Sequence, residues 1–297
     1  MSGEPINDLS RLCIHTITTK PWSLEEAVSR YAEAGVPGIT VWRQALDGRN
    51  IARAGESIRA AGLEIVSICR GGFFPAESEL GRKKAIEDNI KLIHEAAELG
   101  APLIVLVCGA VPGLELEEAR KQIREGIEAI LPHAESQGVK LGIEPLHPMY
   151  ADSRSAINTL AQANDVCEAI GSESLGVVVD VYHVWWDPNL MDEINRAGEK
   201  ILAFHISDWR TPTEDLLNDR GLMGEGCIPV RKIRGWVESA GFSGYNEVEI
   251  FSTRRWSGDM GEFLKQIISK FNKILSNSPL TEIGQFPPLA KGGLGGI

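Results

Sequence analysis

The sequence predicts one closed α/β barrel, a (β/α)8 TIM barrel. Three observations lead there. Eight short runs rich in Val, Ile and Leu recur along the chain, each followed by a longer segment of helical period, the pattern of parallel βα units. A length of 297 residues suits a single barrel, which takes about 250. No G-x-G-x-x-G follows the first run, where an open doubly wound sheet commonly carries its phosphate-binding glycines.

In chain order the expected strands are LCIHTIT (12 to 18), GITVW (38 to 42), EIVSICRG (64 to 71), LIVLVCG (103 to 109), KLGIEPL (140 to 146), LGVVVDVYH (175 to 183), ILAFHISDW (201 to 209) and YNEVEIF (245 to 251). The segments between them read as helices. SLEEAVSRYAEAG opens with a capping box from Ser23 to Glu26 and stops at Gly35, and EEARKQIREGIEAILPHAESQG spaces its Leu and Ile residues helically before Gly138. Residues 1–276 are expected to form the barrel and 277–297 a tail rich in Pro and Gly. A glycine-rich end such as AKGGLGGI cannot continue a helix and buries little, so the tail is expected to lie on a neighbouring subunit or partner.

Composition excludes several classes. The chain has 41 acidic and 30 basic residues, a net charge of −11, which repels nucleic-acid backbones and anionic lipid. No nucleic-acid or membrane partner is expected. Five cysteines are an odd number, contain no C-x-x-C pair and mostly lie in or beside apolar runs, so they read as reduced core residues. MSGEPINDLSR lacks the cationic and then apolar pattern of a secretory leader, and no apolar stretch approaches the length of a membrane span. A soluble, cytoplasmic protein is the expectation.

Four residues carry the functional signal. Glu144, Asp180, His205 and Glu249 sit near the ends of the fifth, sixth, seventh and eighth apolar runs. A charged group closing a hydrophobic strand costs several kcal/mol unless something compensates it, and four in succession around half of a barrel rim suggest a shared cation. Three carboxylates and an imidazole favour Mn²⁺ over Zn²⁺, with Mg²⁺, Co²⁺ and Fe²⁺ also compatible. Taken singly, each has a plainer reading: a strand-end carboxylate as a helix cap or salt-bridge partner, His205 as a satisfied core histidine. Glu247 has the strand parity of Glu249 and is the alternative ligand from that run.

IEPLHP, VVVDVYH, FHISDW and VEI, in that order, resemble the xylose isomerase-like TIM-barrel superfamily of sugar isomerases and epimerases over roughly residues 10 to 275. The resemblance implies that Glu144, Asp180, His205 and Glu249 hold a divalent metal. It also implies that Glu144 and Glu249 act as acid and base, and that His183, the histidine of D-x-x-H, binds substrate oxygen or a second metal. The implied substrate is a keto sugar or cyclitol, which loses a proton beside its carbonyl through a metal-stabilised enediolate. Metal ligation lowers a carboxylate's basicity, so His147 at the same rim is a rival base, or else a loop histidine hydrogen-bonded between Pro145 and Pro148. Arg220, ahead of Arg210, is the arginine expected to face substrate hydroxyls. Trp42, Trp185, Trp186 and Trp209, with Phe73 and Phe74, are expected near the mouth, where aromatic faces suit a sugar ring; packing beneath the outer helices or at a subunit interface is their plainer use.

Other functions on the same barrel remain open. LHPMY and YHVWWDP resemble the metal-containing subunit of C-glycoside deglycosidases, which act on 3-keto glycosides. That resemblance and inosose dehydratases both imply β-elimination, with a small second subunit as partner in the deglycosidase case. A homo-oligomer is expected otherwise. A non-catalytic sugar-binding barrel is a third class. Endonuclease IV of the same superfamily is disfavoured, because its extra histidines at strands three and four are replaced here by Arg70-Gly71 and Cys108-Gly109. No glycine-rich phosphate loop is visible, which favours an unphosphorylated substrate.

Overall fold

The computed structural model describes residues 8–275. Its barrel strands are β1 (Leu12–His15), β2 (Gly38–Trp42), β3 (Glu64–Gly72), β4 (Leu103–Val107), β5 (Lys140–Glu144), β6 (Leu175–Asp180), β7 (Ile201–Ile206) and β10 (Asn246–Val248), all parallel and closed into one ring with β10 between β7 and β1. A two-stranded antiparallel ribbon, β8 (Asp208–Trp209) and β9 (Arg220–Gly221), stands between the last two barrel strands in sequence. The outer layer comprises α1 (Leu24–Glu33), α2 (Ile51–Ala60), α3 (Glu79–Leu99), α4 (Leu116–Gln137), α5 (Leu160–Ile170), α7 (Leu190–Ala197), α8 (Val230–Ser239) and α10 (Met260–Leu275). Two single turns, α6 (Val181–Val184) and α9 (Thr253–Trp256), lie at the strand C-termini. Eight strands in a closed parallel ring are the fold the sequence predicts.

Local chemistry starts and stops these elements where expected. The Ser23 hydroxyl accepts from the Glu26 amide at 3.2 Å to open α1, and α4 ends at Gly138 in the left-handed region. Strand alternation then sorts the side chains. Leu12 and Ile14 join the large apolar layer under the helices, which turns Cys13 and His15 to the barrel interior. Cys69, Leu103, Val105, Val178 and Ala203 fill that interior as a smaller apolar plug.

Six of the expected strands, β1, β4, β5, β6, β7 and β10, are shorter than their apolar runs, and the ends of the last three bear on the site. β6 stops at Asp180 because its Oδ1 accepts the Tyr182 amide at 2.8 Å, capping α6, so Val181 to His183 are helical. β7 stops at Ile206, and Asp208 with Trp209 leaves for the ribbon with β9. β10 ends at Val248, so Glu249 lies one residue beyond it.

At β3 the register with β4 shifts between Cys69 and Gly71, leaving Arg70 as the extra residue of a bulge. Gly72, at φ +103°, passes so close to β4 that a Cβ there would fall 2.0 Å from the Val107 carbonyl oxygen. Only glycine fits.

All five cysteines are free, but Cys227 is exposed rather than in the core, which corrects that part of the reading. No helix among the described residues is long and apolar enough to cross a membrane. The tail expected at 277–297 lies outside the described residues.

Candidate metal centre

The four strand-end residues meet. Glu144 closes β5, Asp180 closes β6 and pairs in register with His205 on β7, and Glu249 follows β10. One potential ligand atom from each lies within 4.8 Å of the others, and all four residues are buried. His205 Nδ1 is 2.9 Å from Glu144 Oε1. Glu247, the alternative that strand parity admitted, pairs with His205 one level further into the barrel and groups there with His15 and His205 as a second buried set of possible ligands.

Arg220 enters this cluster from β9 and is only 3% exposed. One guanidinium nitrogen bridges Asp180 Oδ2 at 2.9 Å and Glu249 Oε2 at 2.8 Å, and the other lies 3.0 Å from His183 Nε2. Burial opposes the charge of Arg220, but Asp180 and Glu249 outweigh it and raise its pKa. Burial, helped by Glu249 and Glu144 and opposed by Arg220, raises Asp180 to about 7. Burial pushes Glu249 the same way, yet Arg220 and His15 hold it well below the usual carboxylate range. Two carboxylates sharing one guanidinium thus differ, and Glu249 is the more readily ionised of the two.

His183 is kept neutral, first by burial and then by the Arg220 cation. Its Nδ1 is 3.3 Å from the His147 amide nitrogen, opposite the Arg220 contact. A neutral imidazole has a single acceptor nitrogen, so only one of these two donors is satisfied by it.

Beneath this layer lies a second polar group. Glu247 accepts from the Thr40 hydroxyl at 2.6 Å and lies 3.1 Å from His15 Nε2, while His15 Nδ1 is 3.1 Å from Glu249 Oε1. Burial disfavours the imidazolium, but these two carboxylates raise His15 to about 9. His15 therefore donates to both glutamates. With both ring nitrogens protonated, the Trp42 indole N–H 3.3 Å from Nδ1 packs against the ring without an acceptor there. His15 is not among the residues singled out from sequence, although it carries the same signature as His205, an imidazole closing an apolar run.

The structure separates the other expected site residues. Trp42, His183 and Arg220 line a cavity at the barrel mouth with Glu144 and Glu249. That cavity measures about 20 Å³, space for a water and not a hexose, because Leu217 packs on Val107, Leu146 and Tyr150 across it. His147 and Trp185 do not reach this wall. His147 Nδ1 caps the 3₁₀ turn Pro148–Tyr150 by accepting the Met149 amide at 3.2 Å, and its ring lies against Trp186 and Trp209. Trp185 follows His183 by two residues around a helical turn, which points it to the opposite side, onto Trp209. Phe74 is in the core and Phe73 at the surface.

The donor set suits a hard or borderline divalent cation. His205 supports this independently. With Nδ1 directed at the Glu144 carboxylate, its Nε2 is buried with no hydrogen-bond partner, and the nearest carboxylate is Glu247 at 3.8 Å. A neutral His205 giving its Nδ1 lone pair to a cation and directing Nε2–H at Glu247 is the usual arrangement of a metal-bound histidine and its supporting carboxylate.

Residues 28–267 match the model of the xylose isomerase-like TIM barrel family, and the chain belongs to that family. Inosose isomerase of Bacillus licheniformis is 27% identical over 225 residues, 68% of this chain and 75% of that protein. Fructoselysine 3-epimerase of Shigella flexneri is 22% identical over 275 residues, 85% and 93% of the two chains. Among solved structures, protein SMc04130 from Sinorhizobium meliloti 1021 is 45% identical with a TM-score of 0.87, covering 90% of this chain and 99% of that one. The IOLI protein, solved with a bound zinc atom, has the same fold, with a TM-score of 0.80 at 20% identity over 90% and 98% of the chains.

Proposed function

We propose that this protein is a divalent-metal-dependent isomerase or epimerase of a keto sugar or cyclitol. The observation that carries the reading is the convergence of Glu144, Asp180, His205 and Glu249 on one buried point. Family membership and relatives named as an inosose isomerase and a fructoselysine 3-epimerase support the substrate class, and the zinc atom of the IOLI structure supports a metal. The oxygen-rich donor set favours Mn²⁺.

A cation bound there supplies Lewis-acid stabilisation of negative charge developing on a carbonyl oxygen. The chain's own groups supply the proton transfers. Glu249, held ionised by Arg220 and His15, accepts the proton from the carbon beside the carbonyl, and Glu144, across the same cavity and carrying a proton taken from solvent, delivers it to the carbon; Glu249 then releases its proton to solvent, which resets the pair. Arg220, whose Nε has no partner among the described residues, offers nitrogen donors to substrate hydroxyls at the wall it shares with His183 and Trp42, once Leu217 withdraws from the mouth to admit a sugar.

The test is incubation of Mn²⁺-loaded protein with keto sugars and keto-inositols in D₂O, read by mass spectrometry alongside metal content. Deuterium gained at carbon without loss of a group is expected. Loss of a group would make the enzyme a lyase, and a metal-loaded protein that exchanges nothing would leave only a binding function.

A further inference from the structure

The chain carries a marked acidic excess, yet two arginines at the barrel mouth have no acidic partner. Arg70 and Arg154 line the same cavity as Glu144, His183, Arg220 and Glu249. Neither guanidinium makes a hydrogen bond or ion pair with another described residue. Each lies instead over a ring, Arg70 at 4.2 Å from the centre of Phe73 and Arg154 at 5.9 Å from that of Tyr150.

Both positions are built by the backbone. Arg70 is the bulged residue of β3, and a bulge re-aims the side chain it carries. Arg154 closes a turn in which the amides of Ser153, Arg154 and Ser155 all reach the Tyr150 carbonyl oxygen, at 3.2, 2.9 and 3.2 Å. The two cations are close enough to repel. Burial first, and then Arg154, lower the pKa of Arg70.

This step rests on the metal reading above. Glu144 and Glu249, the carboxylates that share the cavity with the two arginines, are engaged elsewhere, Glu249 with Arg220 and His15 and Glu144 with His205, and both belong to the set that would hold the cation. Arg70 and Arg154 are left half-buried at the mouth, facing the space that a substrate enters once Leu217 draws back. An anion at that place satisfies both, as guanidinium pairs commonly do with carboxylate and phosphate.

We propose that Arg70 and Arg154 form an oxyanion subsite, and that the substrate is a ketose or cyclitol derivative bearing a carboxylate or phosphate away from its reacting carbonyl. Without a glycine-rich loop, two side chains take the role that backbone amides play in other phosphate sites.

The test uses the full-length, Mn²⁺-loaded protein and calorimetric titration with D-fructose, D-fructose 6-phosphate and D-fructuronate. At least one anionic ketose should bind about tenfold or more tightly than D-fructose, about 1.4 kcal/mol, and which one does so identifies the anion. In Arg70→Met/Arg154→Met, which keeps the stems over Phe73 and Tyr150, the ratio should fall towards one. Arg154→Met alone should lose part of it, and serves if the double variant fails to fold. Equal binding of all three ketoses, no binding of either anionic one, or a ratio that survives both substitutions would overturn the proposal. Metal content of the same samples separates the two failures: a wild type that holds no Mn²⁺ refutes the metal reading, and one that holds Mn²⁺ but ignores the anionic group refutes the subsite.

Discussion

Replacing Glu247 by Gln isolates what the lower polar layer does for the site above it. The carboxylate accepts from Thr40 at 2.6 Å and from His15 at 3.1 Å, and stands nearest the unpartnered His205 Nε2 at 3.8 Å. Glutamine keeps the shape and one acceptor oxygen, but turns an N–H₂ towards one donor and leaves the His15 imidazolium with Glu249 as its only counter-charge. Losing one charge-assisted bond costs about 1.5–3 kcal/mol, and the weakened burial of His15 adds to that, for a total of about 2–4 kcal/mol. At about 2–4 °C per kcal/mol for a domain of this size, the melting temperature in EDTA should fall on the order of 10 °C. Because His205 also loses its supporting carboxylate, Mn²⁺ affinity by calorimetry should weaken about 10- to 100-fold. The double variant with His15→Gln should be far from additive, since the two side chains touch. A Glu247→Gln protein that melts within about 2 °C of the wild type and binds Mn²⁺ unchanged would refute the idea that this layer supports the site.

Two further outcomes follow from the same geometry. His15, raised from 6.5 to about 9, contributes stability that is fully present below its unfolded value and is lost as pH rises through its folded one. In EDTA the melting temperature should therefore decline between about pH 6.5 and 9, and His15→Gln should flatten the decline; parallel curves would show that His15 is not charged in the fold. Gly72→Ala should destabilise by about 3 kcal/mol or more in urea unfolding, because a Cβ would fall 2.0 Å from the Val107 carbonyl oxygen at φ +103°; a loss under about 1 kcal/mol would mean that β3 can draw back from β4.

The residues that converge were readable because barrel geometry is periodic. A side chain at the end of a parallel strand lies at the rim whatever the loops do, so Glu144, Asp180, His205 and Glu249 could be gathered from strand order alone. Strand parity likewise kept Glu247 as the alternative to Glu249, and the structure places the two at different depths, Glu249 with Glu144, Asp180 and His205 and Glu247 with His15 and His205. Where a side chain leaves a strand end for a turn, the period is lost. His147 and Trp185 sit at the rim in sequence, yet one is taken up as a cap and the other is rotated away on α6.

The sequence by itself determined the fold class and the polar residues of the rim, because both depend on local period and on the cost of ending apolar strands with charge. The tertiary structure alone decided which cations neutralise which carboxylates. Arg220 reaches Asp180 and Glu249 from a ribbon beyond β7, His15 joins Glu247 across the closing seam of β1 and β10, and Arg70 meets Arg154 only because a bulge and a turn face one cavity. Charge pairing depends on distance in space and on burial, and neither is encoded in the spacing of residues along the chain.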